Sequence, residues 1–373
     1  MEQIGEYMKK IKVFSMDVLR ELTTVPGVSG DEKGIRDKIK EHLSKLKNIN
    51  RVEVDNVGNL FAFMDNGAKE TVLIKAHMDT PGMRVTRILD GRPDCEVCGK
   101  LLFQDIGLSR AQMTNTRVRV HGTHGDIPGI IASKGVHLAG QEQFISGEEQ
   151  NLNRMVIDIG ARTYAEAEKM GVEVGTPVTF DMPLTLMNGR YVTGPFLDNR
   201  IGVSILLQLA KEIVKKNLDI NIIFSFSTKE ESDLSGIESI LHCKKPASII
   251  VIDTTTADQY DLDPHMITPD IDNGCAVEIG TYANKKLFEL IKEISKKNKE
   301  INWQTDIVVD PYTTGCTESW PAGKYNIPAI TLSVPTKYLH TEVEMLSIAD
   351  VLNVINLTRE LLYKIKSGMK YID

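Results

Sequence analysis

Four apolar runs in this chain stop at side chains that bind metals or move protons. TVLIKA leads into His77-Met78-Asp79, and NIIFSFS into Glu230-Glu231. ASIIVI ends in Asp253, and PAITLSV is followed by Pro335 and then His340. Asp198, in PFLDNRIG, stands just before a helical pattern and is a fifth candidate. In open α/β sheets, ligands bind outside the carboxyl ends of strands. Each residue alone has an ordinary reading: Asp198 can cap its helix, and Glu230-Glu231 can open a helix on its solvated face. Four strands ending this way are hard to ascribe to composition.

The residue types agree with one another. Two histidines, His77 and His340, and three carboxylates, Asp198, Glu231 and Asp253, suit a divalent ion such as zinc, cobalt or manganese. Five ligands are too many for one tetrahedral site with an open position. They suit two ions sharing a bridging carboxylate, about 3.5–4 Å apart. Glu230 is then left over. A carboxylate beside two cations can take a proton from water and later hand it to a leaving amine. Two-residue spacing on a strand puts His77 and Asp79 on one side, so Asp79 can orient the imidazole from behind.

The elements that would hold these residues follow from period and punctuation. Residues 1 to 47 read as two helices, one through Val13, Met16, Leu19 and Leu22, the other through Ile35, Ile39 and Leu43. Ser29 or Asp31 is the expected cap of the second. RVEVD and NLFAFMD read as strands joined by turn chemistry. From Arg84 to Arg190 the pattern becomes short strand-like runs broken by Gly, Pro and Asn, with at most one helix, TYAEAEKMG. Strand and helix then alternate to the closing helix SIADVLNVINLTRELLYKI. Alternating elements with apolar strands indicate a sheet covered on both faces. The expectation is an α/β domain, residues 1-83 and 191-373, interrupted by a β-rich unit at 84-190.

The bulk numbers agree with two domains and narrow the function. The 373 residues exceed the usual limit for one core. A net charge of −7 without a basic stripe argues against nucleic acid and anionic membrane surfaces. No apolar run approaches a membrane span, and MEQIGEYMKKIK lacks a signal-peptide core. The expected location is the cytoplasm. The five cysteines, an odd count, argue against a disulfide framework. The Cys95-Cys98 pair has no second pair to complete a structural zinc site. His121 and His124 form H-x-x-H on a strand and turn and read as structural. His42, His137, His242 and His265 receive no role.

HMDTPG, LDNRIG, STKEES, VIDTT and VPTKYLH, in this order, resemble the M42 family of metallopeptidases in the zinc-exopeptidase clan. VPGVSGDE, VDNVGNLFA and VIDIGARTYAEAEKMGVEVGTPVTF are similar too, so the likeness covers nearly the whole chain. Each motif is modest; the ordered set is highly specific. The resemblance implies an α/β/α sandwich with an inserted PDZ-like dimerisation domain. It implies an aminopeptidase with two divalent metals, releasing N-terminal residues from oligopeptides by metal-activated water attack. His77, Asp198 and Asp253 would hold one metal; Asp198, Glu231 and His340 the other, with Asp198 bridging and Glu230 as general base, while Asp79, which orients the His77 imidazole, completes the expected catalytic pair. It further implies dimers that can build tetrahedral dodecamers.

The sequence also departs from the family pattern. Lys229 stands where Gln is usual, and Ser232-Asp233 where Val-Gly is usual. Thr80 follows Asp79 in place of Glu, Cys316-Thr317-Glu318 stands for Gly-Thr-Asp, and Lys337 replaces an Arg. None removes an expected ligand. They leave substrate preference open. Two other classes stay in view: a metal-dependent deacylase or carboxypeptidase of a related fold, and a non-catalytic assembly protein that kept the fold.

Overall fold

The strands at the centre of the larger unit are almost wholly buried. These are β2 (Leu60–Met64), β3 (Thr71–His77), β12 (Asn221–Ser227), β13 (Ser248–Thr256) and β16 (Ala329–Lys337). A computed structural model describes residues 14–90, 99–108, 113, 115–132, 155–213, 218–257, 269–308 and 317–372. Cys95, Cys98, His137, His265 and Cys316 lie outside the described residues. The chain divides into two compact units: Met1–Asp79, Leu184–Leu339 and Glu344–Asp373 form one, Thr80–Pro183 with His340–Val343 the other.

The larger unit is built on an 11-stranded mixed sheet. With β1 (Arg51–Val54), β10 (Thr185–Met187), β11 (Tyr191–Gly194) and β17 (Glu344–Ser347), its order is β1-β2-β12-β3-β13-β16-β17-β11-β10. β14 (Cys275–Gly280) pairs with β16 and with β15 (Trp303–Val308). The four strands β12, β3, β13 and β16 run parallel to one another. Parallel strands are buried on both faces, and alternation along each strand sorts the two cores. Val72, Ile74, Ala76, Ile222, Phe224, Phe226, Ile250 and Ile252 join one cluster. They pack there with α1 (Met16–Thr24), α2 (Lys33–Ser44), α4 (Leu197–Glu212), α7 (Lys285–Lys297) and α8 (Ile348–Lys364). Leu73, Ile223, Ile249 and Val251 join a second cluster with Ile237, Ile240 and Leu241 of α6 (Ser235–Lys244).

Local chemistry starts three of these six helices. Ser15 accepts from the Val18 N–H at the head of α1, Asn284 from Leu287 at α7, and Ser347 from Ala349 at α8. The second helix corrects the sequence expectation. Glu32, not Ser29 or Asp31, is its N-cap, and no side chain caps it. The Ser29 hydroxyl instead donates to Asp79 Oδ2 at 2.5 Å. A charged, buried acceptor outcompetes a local amide for that hydroxyl.

The smaller unit is a closed barrel. Its strands are β4 (Gly82–Ile88), β5 (Leu101–Ile106), β6 (Arg117–Gly122), β7 (Gly125–Ala132), β8 (Val156–Asp158) and β9 (Pro177–Phe180). The order β4-β5-β8-β7-β6-β9 closes on itself and leaves no sheet edge. Val85, Leu101, Val118, Val120, Ile131, Ile157 and Val178 are buried in it. Its described helix is α3 (Tyr164–Lys169), capped by Thr163. His121 spends both ring nitrogens on neighbours, Asp126 at 2.7 Å and Thr179 at 2.9 Å.

Candidate metal centre

The sheet face that packs on α6 turns polar toward the carboxyl ends of its strands. Leu73, Lys75 and His77 share a face of β3 because side chains alternate. Ser225 and Ser227 are their register partners on β12. Asp253 shares that face of β13 with Ile249 and Val251. His77 ends β3, and the Met78 N–H carries the pairing one step further, to the Ser227 carbonyl at 2.8 Å.

Around His77 the acids converge. Its Nε2 lies 3.1 Å from Asp198 Oδ1, 3.5 Å from Asp253 Oδ1 and 3.8 Å from Glu230 Oε2. One ligand atom each from His77, Asp198 and Glu231 fall within 4.8 Å of one another. On the opposite side of the ring, Nδ1 is 3.2 Å from the main-chain oxygen of Asp79 and 3.5 Å from its Oδ1. A histidine whose Nδ1–H is taken by such an acceptor presents Nε2 as a lone pair to the acids' side.

Each acid is positioned by a different element. Asp198 sits in the first turn of α4 with non-helical angles (φ −78°, ψ 109°), and its N–H donates to Glu344 Oε2 at 3.0 Å. The Asn199 amide donates to Asp253 Oδ1 at 3.0 Å and to the Ile252 carbonyl at 2.9 Å. Asp79, fully buried, gathers the Ser29 hydroxyl and the Glu231 N–H on Oδ2, 2.5 and 3.1 Å away. Arg200, also fully buried, donates to the Met78 carbonyl at 2.7 Å. Glu230 and Glu231 open the short helix α5 (Glu230–Asp233), bracketed by Lys229 and Leu234 in the left-handed region (φ 59° and 58°). Asn59 staples this turn: it accepts from Thr228 N–H and donates to the Gly236 carbonyl, both at 3.0 Å.

Gly236 lets the turn close. A Cβ there would stand 2.0 Å from the Thr228 carbonyl oxygen. Gly236→Ala must therefore displace backbone next to Glu230. We expect it to cost about 1–3 kcal/mol, read as a lower Tm, together with reduced turnover.

The electrostatics ask for a cation. Burial pushes Glu230 up to about 8; His77 opposes this, while Asp253, Asp79 and Asp198 add to it. Burial likewise raises Glu231 well above the carboxylate range, with Asp198 and Glu230 adding to it. Burial pulls His77 down, but Glu230, Asp198, Asp253 and Asp79 outweigh it and hold the imidazole well above its usual value. Asp79 goes the other way. Its burial is outweighed by His77, Ser29 and the Glu231 N–H, and its carboxyl is lowered. A buried imidazole nitrogen facing crowded carboxylates fits a divalent ion better than it fits protons.

Three of the expected metal residues, His77, Asp198 and Glu231, bring ligand atoms within 4.8 Å of one another, with Asp253 Oδ1 3.5 Å from His77 Nε2, Glu230 beside the same nitrogen and Asp79 behind the ring. His340 lies in the turn after β16 at φ 62° and groups with the smaller unit. Sequence reasoning missed Lys75, Asn199 and Glu344, and gave Ser29 the role of a helix cap. Lys75 carried a signal, a charge inside an otherwise apolar run. Of the departures, Lys229 acts on the buried Glu32, lowering a carboxyl that burial raises. Glu318 is fully buried against Lys75.

The profile of the M42 glutamyl aminopeptidase family matches residues 58–357. The chain belongs to this family. It is an aminopeptidase, a hydrolase acting on peptide bonds, with the family's α/β fold. The lysyl aminopeptidase of Pyrococcus furiosus is 28% identical over 353 residues, covering 94% of this chain and 97% of that protein. The TET aminopeptidase of a Thaumarchaeota archaeon superposes with a TM-score of 0.85 at 25% identity, over 95% of this chain and 97% of that one. The Pyrococcus horikoshii TET1 peptidase superposes at 0.79 with 26% identity, over 94% and 99%. That peptidase can assemble into a tetrahedron or a large octahedral shell. Among the described residues of this M42 peptidase, no helix is long and apolar enough to cross a membrane.

Proposed function

We propose that this M42 peptidase uses two divalent metals to release N-terminal residues from oligopeptides, with Glu230 as general base. The observation that carries the reading is the convergence of His77, Asp198 and Glu231 ligand atoms within 4.8 Å, with Glu230 Oε2 beside the same imidazole nitrogen. His77, Asp198 and Asp253 would hold one metal; Asp198, Glu231 and His340 the second. Zinc or cobalt suits this nitrogen and oxygen set best, and manganese is compatible. When bound, such ions polarise a scissile carbonyl and make water a nucleophile near neutral pH.

The chain's own residues supply the rest. The Asp79 main-chain oxygen accepts from the His77 ring and holds it in one tautomer. Through the Glu231 N–H, the Asp79 carboxylate keeps the base and its neighbour in register with that ring. Asn199 turns Asp253 toward the centre. Glu230 Oε2 takes a proton from water and returns it to the leaving amine. Burial, helped by crowding from Asp253, Asp79 and Asp198, raises its proton affinity and favours taking the water's proton.

The domains follow the chain's change of texture: residues 1-83 and 191-373 would be catalytic, and the β-rich insertion 84-190 would mediate dimerisation. The likeness to the P. horikoshii peptidase, which can form a tetrahedron, and to the solved PhTET1-12s dodecamer supports assembly of such dimers into a tetrahedral dodecamer. The odd cysteine count supports a cytoplasmic location.

The test is a pair of substrates. An aminoacyl anilide with a free amine is expected to turn over at least about a hundredfold faster than its N-acetylated form, since a site built for an ammonium loses that contact. Preference for the acetylated form would point to a deacylase instead.

A further inference from the structure

Lys75 stands where a charge is hardest to keep. It lies mid-strand in β3, between Ser225 of β12 and Val251 of β13, and no part of it reaches solvent. Glu318, at the turn before the 3₁₀ helix Trp320–Tyr325, is equally buried and forms an ion pair with the Lys75 ammonium. Ser227 donates to Glu318 Oε2 at 3.0 Å, which ties the pair to the strand end beside His77. An apolar pair of the same size would be at least as good for packing, because desolvating two ions offsets their attraction. Position gives the lysine another use. It is two residues before His77 on the same strand face, one rung beneath the metal centre. Its register partner on β13 is Val251, two residues before Asp253 on the same face, and Glu318 is in direct contact with its ammonium.

We propose that Lys75, held in place by Glu318, is an internal counter-ion of the metal centre. It offsets the carboxylate charge of Asp253 and Asp79 when no metal is present, and it weakens divalent binding by repulsion between cations. The inference rests on the reading of these carboxylates as a metal centre. Lys75 touches no substrate in this account; it is a positioning residue. Its function is to keep the centre folded while empty and exchangeable when filled.

The two halves of the proposal have opposite signs, which separates it from a packing role. In the double variant Lys75→Met/Glu318→Gln, the metal-stripped protein should melt at a lower temperature than wild type. The same variant should bind cobalt about tenfold more tightly in calorimetric titration of the stripped protein, the residual of two opposed charge effects at this depth. Glu318→Gln alone frees the ammonium to pair with the site carboxylates, and cobalt binding should weaken about fivefold. A purely structural pair predicts unchanged or weaker cobalt binding in the double variant, and that result would overturn the proposal. So would cobalt binding at wild-type strength in Glu318→Gln, or failure of both variants to fold. If wild type itself binds no cobalt, the metal-centre reading falls and this inference with it. Equal binding in wild type and double variant removes the counter-ion alone.

Discussion

Glu230→Gln is expected to lower kcat by about 10²–10⁴-fold while leaving metal content and fold intact. Glutamine keeps the shape and the hydrogen-bonding oxygen but cannot accept the water's proton. Glu230 is suited to this function by place: its Oε2 is 3.8 Å from His77 Nε2, and burial, with the neighbouring acids, raises its proton affinity to about 8. The measurement is turnover of an aminoacyl anilide alongside metal per chain by elemental analysis. Near-wild-type turnover would sink the assignment. Glu231→Gln supplies the contrast. It touches the ligand cluster and should lose metal as well as activity.

Chelation should abolish activity, and zinc, cobalt or manganese should restore it. The same treatment should lower Tm. A ligand that binds only the folded chain stabilises it by about 3–4 kcal/mol at 100 to 1,000 times its dissociation constant. The pH dependence of the stripped protein has a definite sign. Glu230 and Glu231 are raised in the folded chain, so the folded state holds those protons more tightly than the unfolded one. Their contribution is lost as pH rises from the unfolded value near 4.5 through the folded value, about 8 for Glu230. His77, also raised, acts in the same direction: its contribution is present below 6.5 and is lost as pH climbs through the folded value. Asp79, which is lowered, loses its contribution only as pH falls below 3.8. The stripped protein should therefore melt progressively lower between pH 5 and pH 8, and metal should flatten the trend. A Tm that rises over this window in the stripped protein would refute the crowding of acids around His77.

Sheet, helices and most of the centre were legible in order along the chain, because each rests on a short-range pattern. Apolar runs such as TVLIKA and ASIIVI specify buried parallel strands through their own side chains. What stands at the carboxyl end of such a strand is delivered to one edge of the sheet wherever the strands come to lie. His77, Asp253 and Glu230-Glu231 could therefore be read as candidates without knowing strand order. Asp198, in the motif before its helix, could be read with them.

Other features depend on which strands become neighbours. Ser29 looked like a helix cap, since local rules see only the amide two or three residues on. In the fold a buried carboxylate fifty residues away takes its hydroxyl. Lys229 and Leu234 adopt left-handed backbone that local preference assigns to glycine. Asn59, from another strand connection, holds that turn by hydrogen bonds at both ends. Lys75, a charge within an otherwise apolar run, has its partner in Glu318, more than two hundred residues away in the chain. Periodicity places a side chain on a face. Long-range packing determines what faces it, and the charge balance of this metal centre is a property of that packing.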